Sequence, residues 1–437
     1  MLVTLPVETK RRELYGKLWL SYHLLIRGHE VAIGPAFEIN SNLHRIQPDC
    51  HIHHNDNDRQ VEFIRSVRSA GTLVCLLPTE GAVTTRREYH PEVTEIMDEL
   101  DYFFTWGDAQ KQQLEAKFPE SNIITAAGNP RFDVQNADFI RYYQEIGERL
   151  RARHGNYVLW NTNYNRANPK YSGIFSKYGV TVHQQEVDIQ RALMEAVSDF
   201  ASRLPEDLTL IVRPHPGEDY TFYENIQRRM PSVCVSDAED VFSWICGAVC
   251  VIHNSSTTGV QAAMADVPVI AYDPPGASEV EIPIANEVSR RCQSLDELVQ
   301  LVELAKGGQF PNEDASGSIL TEEFVNFDHD AGPQIAGLID ALAPADQIDA
   351  NGFPISVSGI LKSRIKASGG MSKVVTAAEG IVPIPRLRAM AYGYQKFPGL
   401  TGREIRAILN IISNQDYADV EVSSIPSTNY SFHLSVV

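Results

Sequence analysis

The feature that most constrains this chain is a rhythm of short apolar, β-rich runs separated by stretches with helical spacing, repeated in two series. MLVTLPV opens the first series, and Leu14, Leu18, Tyr22 and Leu25 then fall on one helical face that Gly28 closes. HEVAIGP, CHIHH, TLVCLLP, DYFFTW and NIITAAG follow as further strand signals. A polar helix from Asp138 to His154 ends at Gly155, and a second series begins at NYVLWNT. It continues through LTLIVRPHP, SVCVSD, GAVCVIHNSS and VPVIAYD, with helices fitting 184–203, 219–229, 259–266 and 294–305. Uninterrupted apolar strands alternating with helices imply parallel sheets covered on both faces. The fold class expected is therefore α/β, with two Rossmann-like domains facing a cleft. Residues 1–150 form the first domain and 151–344 the second, with 345–437 as a C-terminal extension. Residues 321–343 read as helical and able to cross back onto the first half.

At 437 residues the chain exceeds a single core. Its formal charge of −18 excludes a general nucleic-acid binder, which needs a basic face. The six cysteines contain no CxxC pair and mostly sit in apolar runs, as free thiols of a reducing compartment do. Cys246 and Cys250 have the spacing of one helix face, but two thiols make a poor metal site. The start lacks the charged and apolar regions of a signal peptide. No run approaches the roughly 18 apolar residues of a membrane span. A cytoplasmic protein, peripheral at most on the inner face of the membrane, is expected. In the tail, Lys362, Arg364, Lys366, Lys373, Arg386, Arg388, Lys396, Arg403 and Arg406 face only Glu379 and Glu404. That segment either packs on the acidic body or meets an anionic membrane surface or acceptor.

Two segments carry the chemistry. Arg213-Pro214-His215-Pro216 follows LTLIV, and His253-Asn254-Ser255-Ser256-Thr257-Thr258-Gly259 follows AVCVI. Ligands of parallel sheets bind at the C-terminal strand ends, where helix N-termini offer free N–H groups to anions. His215 can donate to a phosphate oxygen, and Arg213 can pair with it bidentately. One hydroxyl among Ser255, Ser256, Thr257 and Thr258 suffices to cap a helix, which leaves others for phosphate. Gly259 permits close backbone approach. Asn161, Thr162 and Asn163, after the first strand of the second half, can join the same pocket.

RPHP resembles the His-Pro motif of bacterial sialyltransferases and Kdo transferases, and HNSSTTG resembles their Ser-Ser/Thr motif. Related signatures occur in teichoic-acid glycerophosphotransferases. LPVETKRREL with KLWLSYHLLIRGHEVAIG, Gly128-Asn129-Pro130-Arg131-Phe132-Asp133 and Asn161-Thr162-Asn163-Tyr164 resemble markers of surface-carbohydrate biosynthesis proteins. The resemblance covers residues 1–340 and implies the two-domain glycosyltransferase B type (GT-B), with the donor nucleotide in the C-terminal half. It implies transfer of a Kdo- or sialic-acid-like 2-keto acid sugar from a CMP-activated donor to a hydroxyl of a surface polysaccharide, the glycan acceptor being free or lipid-linked. The alternatives are a CDP-glycerol-type phosphotransferase and a non-catalytic nucleotide-sugar-binding subunit.

Thr79-Glu80-Gly81 resembles the acidic motif carrying the catalytic carboxylate of sialyltransferases, with Thr79 departing from it. Glu80 is the first candidate to take the acceptor proton or attack the anomeric carbon, and Glu8 the second. Arg131 can reach a donor carboxylate or phosphate. His51 and His53 share a strand face, yet no acid or Cys cluster supports a metal there. No catalytic metal and no cofactor besides the donor is expected. No GxGxxG follows the first strand and no GxxxxGK[ST] occurs, which disfavours NAD enzymes and P-loop NTPases.

Overall fold

The computed structural model describes residues 1–55, 60–79, 95–170, 181–275, 283–311, 315–354, 396–413, 420–426 and 428–436. The chain divides into two compact α/β units. One comprises Met1–Ile140 with residues 321–354 and 396–436, and the other comprises Arg141–Leu320.

In the first unit, β1 (Leu2–Val7), β2 (Glu30–Pro35), β3 (Cys50–His53), β4 (Leu73–Leu76), β5 (Tyr102–Thr105) and β6 (Ile124–Ala126) run parallel in the order β2-β1-β3-β4-β5-β6. Nearly every strand residue is buried, as expected where both faces are covered. Helix Lys10–Leu25 follows β1. The hydroxyl of Thr9 does not cap it. The Glu13 carboxylate instead accepts the N–H groups of Glu8 (3.0 Å) and Thr9 (3.2 Å). Positive φ at Gly28 turns the chain out of the helix into β2.

This helix is buried on almost all sides, and later segments explain how. Helix Ala331–Asp340 packs on it, with Gly332 against the Trp19 indole. The Asp133 carboxylate joins them, accepting Trp19 Nε1–H (2.8 Å), Asn326 Nδ2–H (2.5 Å) and the N–H groups of Ala331 (2.7 Å) and Gly332 (2.8 Å). Burial raises its pKa to about 7 against the pull of these donors. The expected helical return of 321–343 onto the first half is thus a helix N-terminus docked on a buried acid.

The tail differs from the expected extension. Helix Gly402–Ile412 packs on helix Lys10–Leu25, and β13 (Val420–Ser424) pairs antiparallel with β14 (Phe432–Val436). β14 pairs antiparallel with β2 and so covers that edge. The buried Glu38 carboxylate fixes the hairpin by accepting the N–H groups of Asn429 and Tyr430 and the Ser431 hydroxyl. Of the basic residues, Lys396 pairs with Glu8 (2.6 Å) and Arg406 donates to the Val422 carbonyl (2.9 Å). Lys362 to Arg388 lie outside the described residues. Among the described residues no helix is long and apolar enough to cross a membrane.

The second unit is the sheet β12-β11-β10-β7-β8-β9, all parallel. Its strands are β7 (Tyr157–Asn161), β8 (Thr209–Arg213), β9 (Val233–Val235), β10 (Cys250–His253), β11 (Val269–Tyr272) and β12 (Arg290–Cys292). Counted from β7 as the first strand, this is the doubly wound order 3-2-1-4-5-6, whose switch point falls between β7 and β10. Helices Gln184–Ala201 and Leu295–Lys306 cover one face, with Leu193, Val197, Phe200, Leu298 and Val302 packed on Val158, Trp160 and Ile252. Cys246 lies on helix Val241–Gly247 and Cys250 on β10, so they do not share the helix face their spacing allowed.

One packing detail is testable. A Cβ at Gly16 would lie 2.7 Å from the Arg131 nitrogen and 2.8 Å from its Cα, because the helix presses directly on the turn at Pro130–Phe132. Neither partner is a flexible chain end, so Gly16→Ala should cost about 1–3 kcal/mol through overpacking despite alanine's better helix propensity. Calorimetric unfolding of the variant should show the first unit's transition at lower temperature.

Candidate functional site

In the second unit the switch point brings three strand ends together. Asn161 ends β7, with Arg213 of β8 as its partner on one side and His253 of β10 on the other. Strands spaced about 4.8 Å apart put the β8 and β10 ends about 10 Å from each other.

After β8 the chain makes the turn Pro214–Glu218. The His215 N–H donates to Glu218 Oε1 (3.0 Å), and the Gly217 N–H donates to His215 Nδ1 (3.0 Å). With Nδ1 accepting, the neutral ring carries its proton on Nε2. Glu218 is fully buried and holds the site together. Its Oε1 also accepts the Thr162 hydroxyl (2.7 Å) and the Tyr164 N–H (3.1 Å), and its Oε2 accepts the Tyr223 hydroxyl (2.6 Å). One carboxylate therefore ties the loop after β7 to the turn after β8. Burial raises its pKa, while its four donors oppose the shift. Sequence reasoning missed Glu218. Its only signal is an acid three residues after a strand-end His, a spacing that also fits an ordinary turn.

After β10, the buried His253 orders the next loop. Ser289 Oγ donates to the Ala285 carbonyl (2.6 Å), so it accepts from His253 Nε2 (2.8 Å), while His253 Nδ1 accepts the Ser256 N–H (3.2 Å). Burial lowers the His253 pKa to about 3, so the ring is neutral. A Cβ at Gly259 would lie 2.3 Å from His253 Nε2. Gly259 thus makes room for this imidazole, where the sequence suggested room for a ligand. Ser255 turns the chain with φ 51°, and Ser256 caps helix Thr257–Met264 by accepting the Thr258 N–H (3.4 Å) and hydroxyl (2.9 Å). Both donors point to Ser256 Oγ, so its own proton is left to donate outward.

The remaining predicted residues divide. Asn161 is only 4% exposed, and its Nδ2 has no hydrogen-bond partner among the described residues. A buried amide donor at a switch point is a group shaped for an acceptor. Thr162 is engaged by Glu218, and Asn163 is half-buried beside it. Arg213 donates to the carbonyls of Ala238 (2.7 Å) and Glu239 (2.9 Å), which fixes the loop after β9.

In the first unit, Glu8 follows β1. Burial would raise its pKa, but the Lys396 ammonium at 2.6 Å and the Arg12 guanidinium at 3.8 Å outweigh that and hold it below the usual carboxylate range. Glu80 lies outside the described residues. Arg131 is buried, its guanidinium 4.9 Å from the Trp106 ring centre and 4.4 Å from that of Phe132. His51, His53 and His54 are buried, and burial lowers all three pKa values, that of His51 to about 3. Among the described residues no group of three or more His, Cys, Asp or Glu has metal-binding geometry.

No family model matches the chain, and no curated protein does. Among solved structures it is similar to a putative UDP-N-acetylglucosamine 2-epimerase from Listeria monocytogenes, at 14% identity and TM-score 0.49 over 78% of this chain and 95% of that one. It is similar to the UDP-GlcNAc 2-epimerase from Methanocaldococcus jannaschii at 13% identity and TM-score 0.49, over 78% and 99%. It is likewise similar to the wall teichoic acid polymerase TagF at 10% identity and TM-score 0.49, over 78% and 88%.

Proposed function

We propose that this chain is a glycosyltransferase that moves a Kdo- or sialic-acid-like 2-keto acid sugar from a CMP-activated donor to a hydroxyl of a surface glycan. The observation that supports this reading is the switch point of the second unit. There a buried amide with no partner for its Nδ2 among the described residues, a His-Pro turn and a serine-capped helix N-terminus end side by side on adjacent strands. The Glu218 carboxylate among them is consumed by four internal donors, so the described edge offers hydrogen-bond donors and positive dipole to an anion.

Asn161 Nδ2, the Ser256 hydroxyl and the N–H of Thr257 at the start of helix Thr257–Met264 hold the phosphate in this reading. His215 donates to the oxygen on which charge accumulates as the glycosidic bond breaks. Arg213 keeps the loop after β9 in place. The acceptor belongs to the first unit, where Glu80 is the base or nucleophile. Glu8, held ionised by two cations, is the poorer base of the pair.

The test is a thermal-shift series with CMP, CDP, UDP and GDP, followed by product mass. Cytidine nucleotides at 100 times their Kd should stabilise the protein by about 2.7 kcal/mol, and the others far less. Preference for UDP or GDP would overturn the reading. So would a product that retains phosphate.

A further inference from the structure

The first unit has a switch point of its own, between β1 and β3, and a pocket lies at that end of its sheet. Glu13, Gly16 and Lys17 of the helix after β1 line it, with Leu77–Thr79 after β4 and Asn129–Arg131 after β6. It is a half-enclosed recess open to solvent on one side. We infer that this pocket is an oxyanion site in which Lys17 and Arg131 together hold a carboxylate or phosphate group of a bound molecule. The inference stands without the cytidine reading, because every residue in it belongs to the other unit.

The observation behind it is Lys17. It is 6% exposed, and its Nζ has no hydrogen-bond partner among the described residues. A buried ammonium without a partner is costly, and lysine is rarely buried unless paired. Glu13, one turn earlier, does not serve as that partner. Its carboxylate accepts the N–H groups of Glu8 and Thr9 and a hydrogen bond from Arg12 Nη2 (3.1 Å), which turns it toward the helix entry.

Arg131 brings a second buried cation to the same pocket, with its ring neighbours Trp106 and Phe132 fixing the guanidinium plane. Gly16 is what lets the helix carrying Lys17 approach the Arg131 backbone at all. Lys17 and Arg131 thus bring two positive charges to one half-enclosed recess, a setting suited to an oxyanion.

Burial lowers the Lys17 pKa to about 8, with Glu13 opposing the shift. The other groups near it are His51, His53 and His54, all neutral above pH 7, and Arg131, which does not titrate in this range. An anion favours the ammonium form, so affinity should fall about tenfold per pH unit above 8 as free Lys17 loses its proton.

The experiment is calorimetric titration of the whole protein with pyruvate and, separately, inorganic phosphate at low ionic strength. Wild type, Lys17→Met, Lys17→Arg and His215→Ala are compared. Wild type should bind at least one probe, and which of the two is held tighter distinguishes a carboxylate from a phosphate source. Lys17→Met should weaken that binding at least tenfold while leaving CMP binding and melting temperature intact or improved. His215→Ala should leave pyruvate binding unchanged. Between pH 8 and 9.5 pyruvate affinity should fall for wild type and hold for Lys17→Arg, whose charge persists. Failure of wild type to bind either probe would overturn the inference, as would equal affinity in Lys17→Met. If Lys17→Met does not fold, a wild-type pyruvate affinity flat across that pH range would overturn it instead. Loss of CMP binding in every protein would count against the cytidine reading alone.

Discussion

Replacing Glu218 with alanine should unfold the second unit more readily than any other single change at the candidate site. Four donors converge on this carboxylate: the Thr162 and Tyr223 hydroxyls and the N–H groups of Tyr164 and His215. Removing it leaves all four unmatched, three of them buried and that of His215 half-buried, and each orphaned buried donor costs about 1–3 kcal/mol before relaxation or entering water recovers part of it. A net loss of about 3–5 kcal/mol is expected, the range for breaking a buried charged network by deleting one partner. Denaturant unfolding checks this, read through Trp160 and Trp244 of that unit. The same change frees the loop after β7 from the turn after β8, so cytidine binding should weaken along with stability. Glu218→Gln keeps the volume and one acceptor oxygen, and it should fall between wild type and Glu218→Ala.

Much of the fold was legible because parallel strands covered on both faces must be apolar throughout, and such runs stand out between helical periods. LVTLPV, TLIVR and CVIH have that pattern and are strands. The helix capped by Ser256 was legible for a related reason, since a cap needs a short oxygen side chain ahead of it. What failed to show depends on partners distant in sequence. β13 and β14 are short and half polar, and they pair only because β2 presents an open edge some 400 residues earlier, as His433 facing Ala32 illustrates. The return of residues 321–343 to the first half is legible as a helix, but its anchor on Asp133 and Trp19 is not, because no local pattern links them to Gly332. Gly259 looked like room for a ligand, because nothing in the sequence says that the His253 ring lies over it. Glu218 and Lys17 went unread for the same reason. Each is an ordinary charged residue whose meaning comes from being buried, one saturated with hydrogen bonds and the other with none for its Nζ among the described residues.

In the proposed reading the strand ends of the second unit bind the donor phosphate, and His215 acts on it as the bond to the sugar breaks. A hydrogen bond that strengthens as charge develops lowers the barrier more than it tightens binding of substrate or product. Nδ1 of His215 is occupied by the Gly217 N–H, so the proton available for that bond is on Nε2. Alanine removes this donor, while Asn161, Ser256 and the helix N-terminus continue to hold the nucleotide. Loss of one such donor costs on the order of 10²–10³ in rate. The most direct measurement is therefore made on His215→Ala, pairing the single-turnover rate of sugar transfer from a CMP-activated donor with the calorimetric Kd for CMP. The expected result is a rate lower by that factor with a Kd within about threefold of wild type, since uniform binding is little affected. A variant that transfers sugar at near the wild-type rate would contradict it.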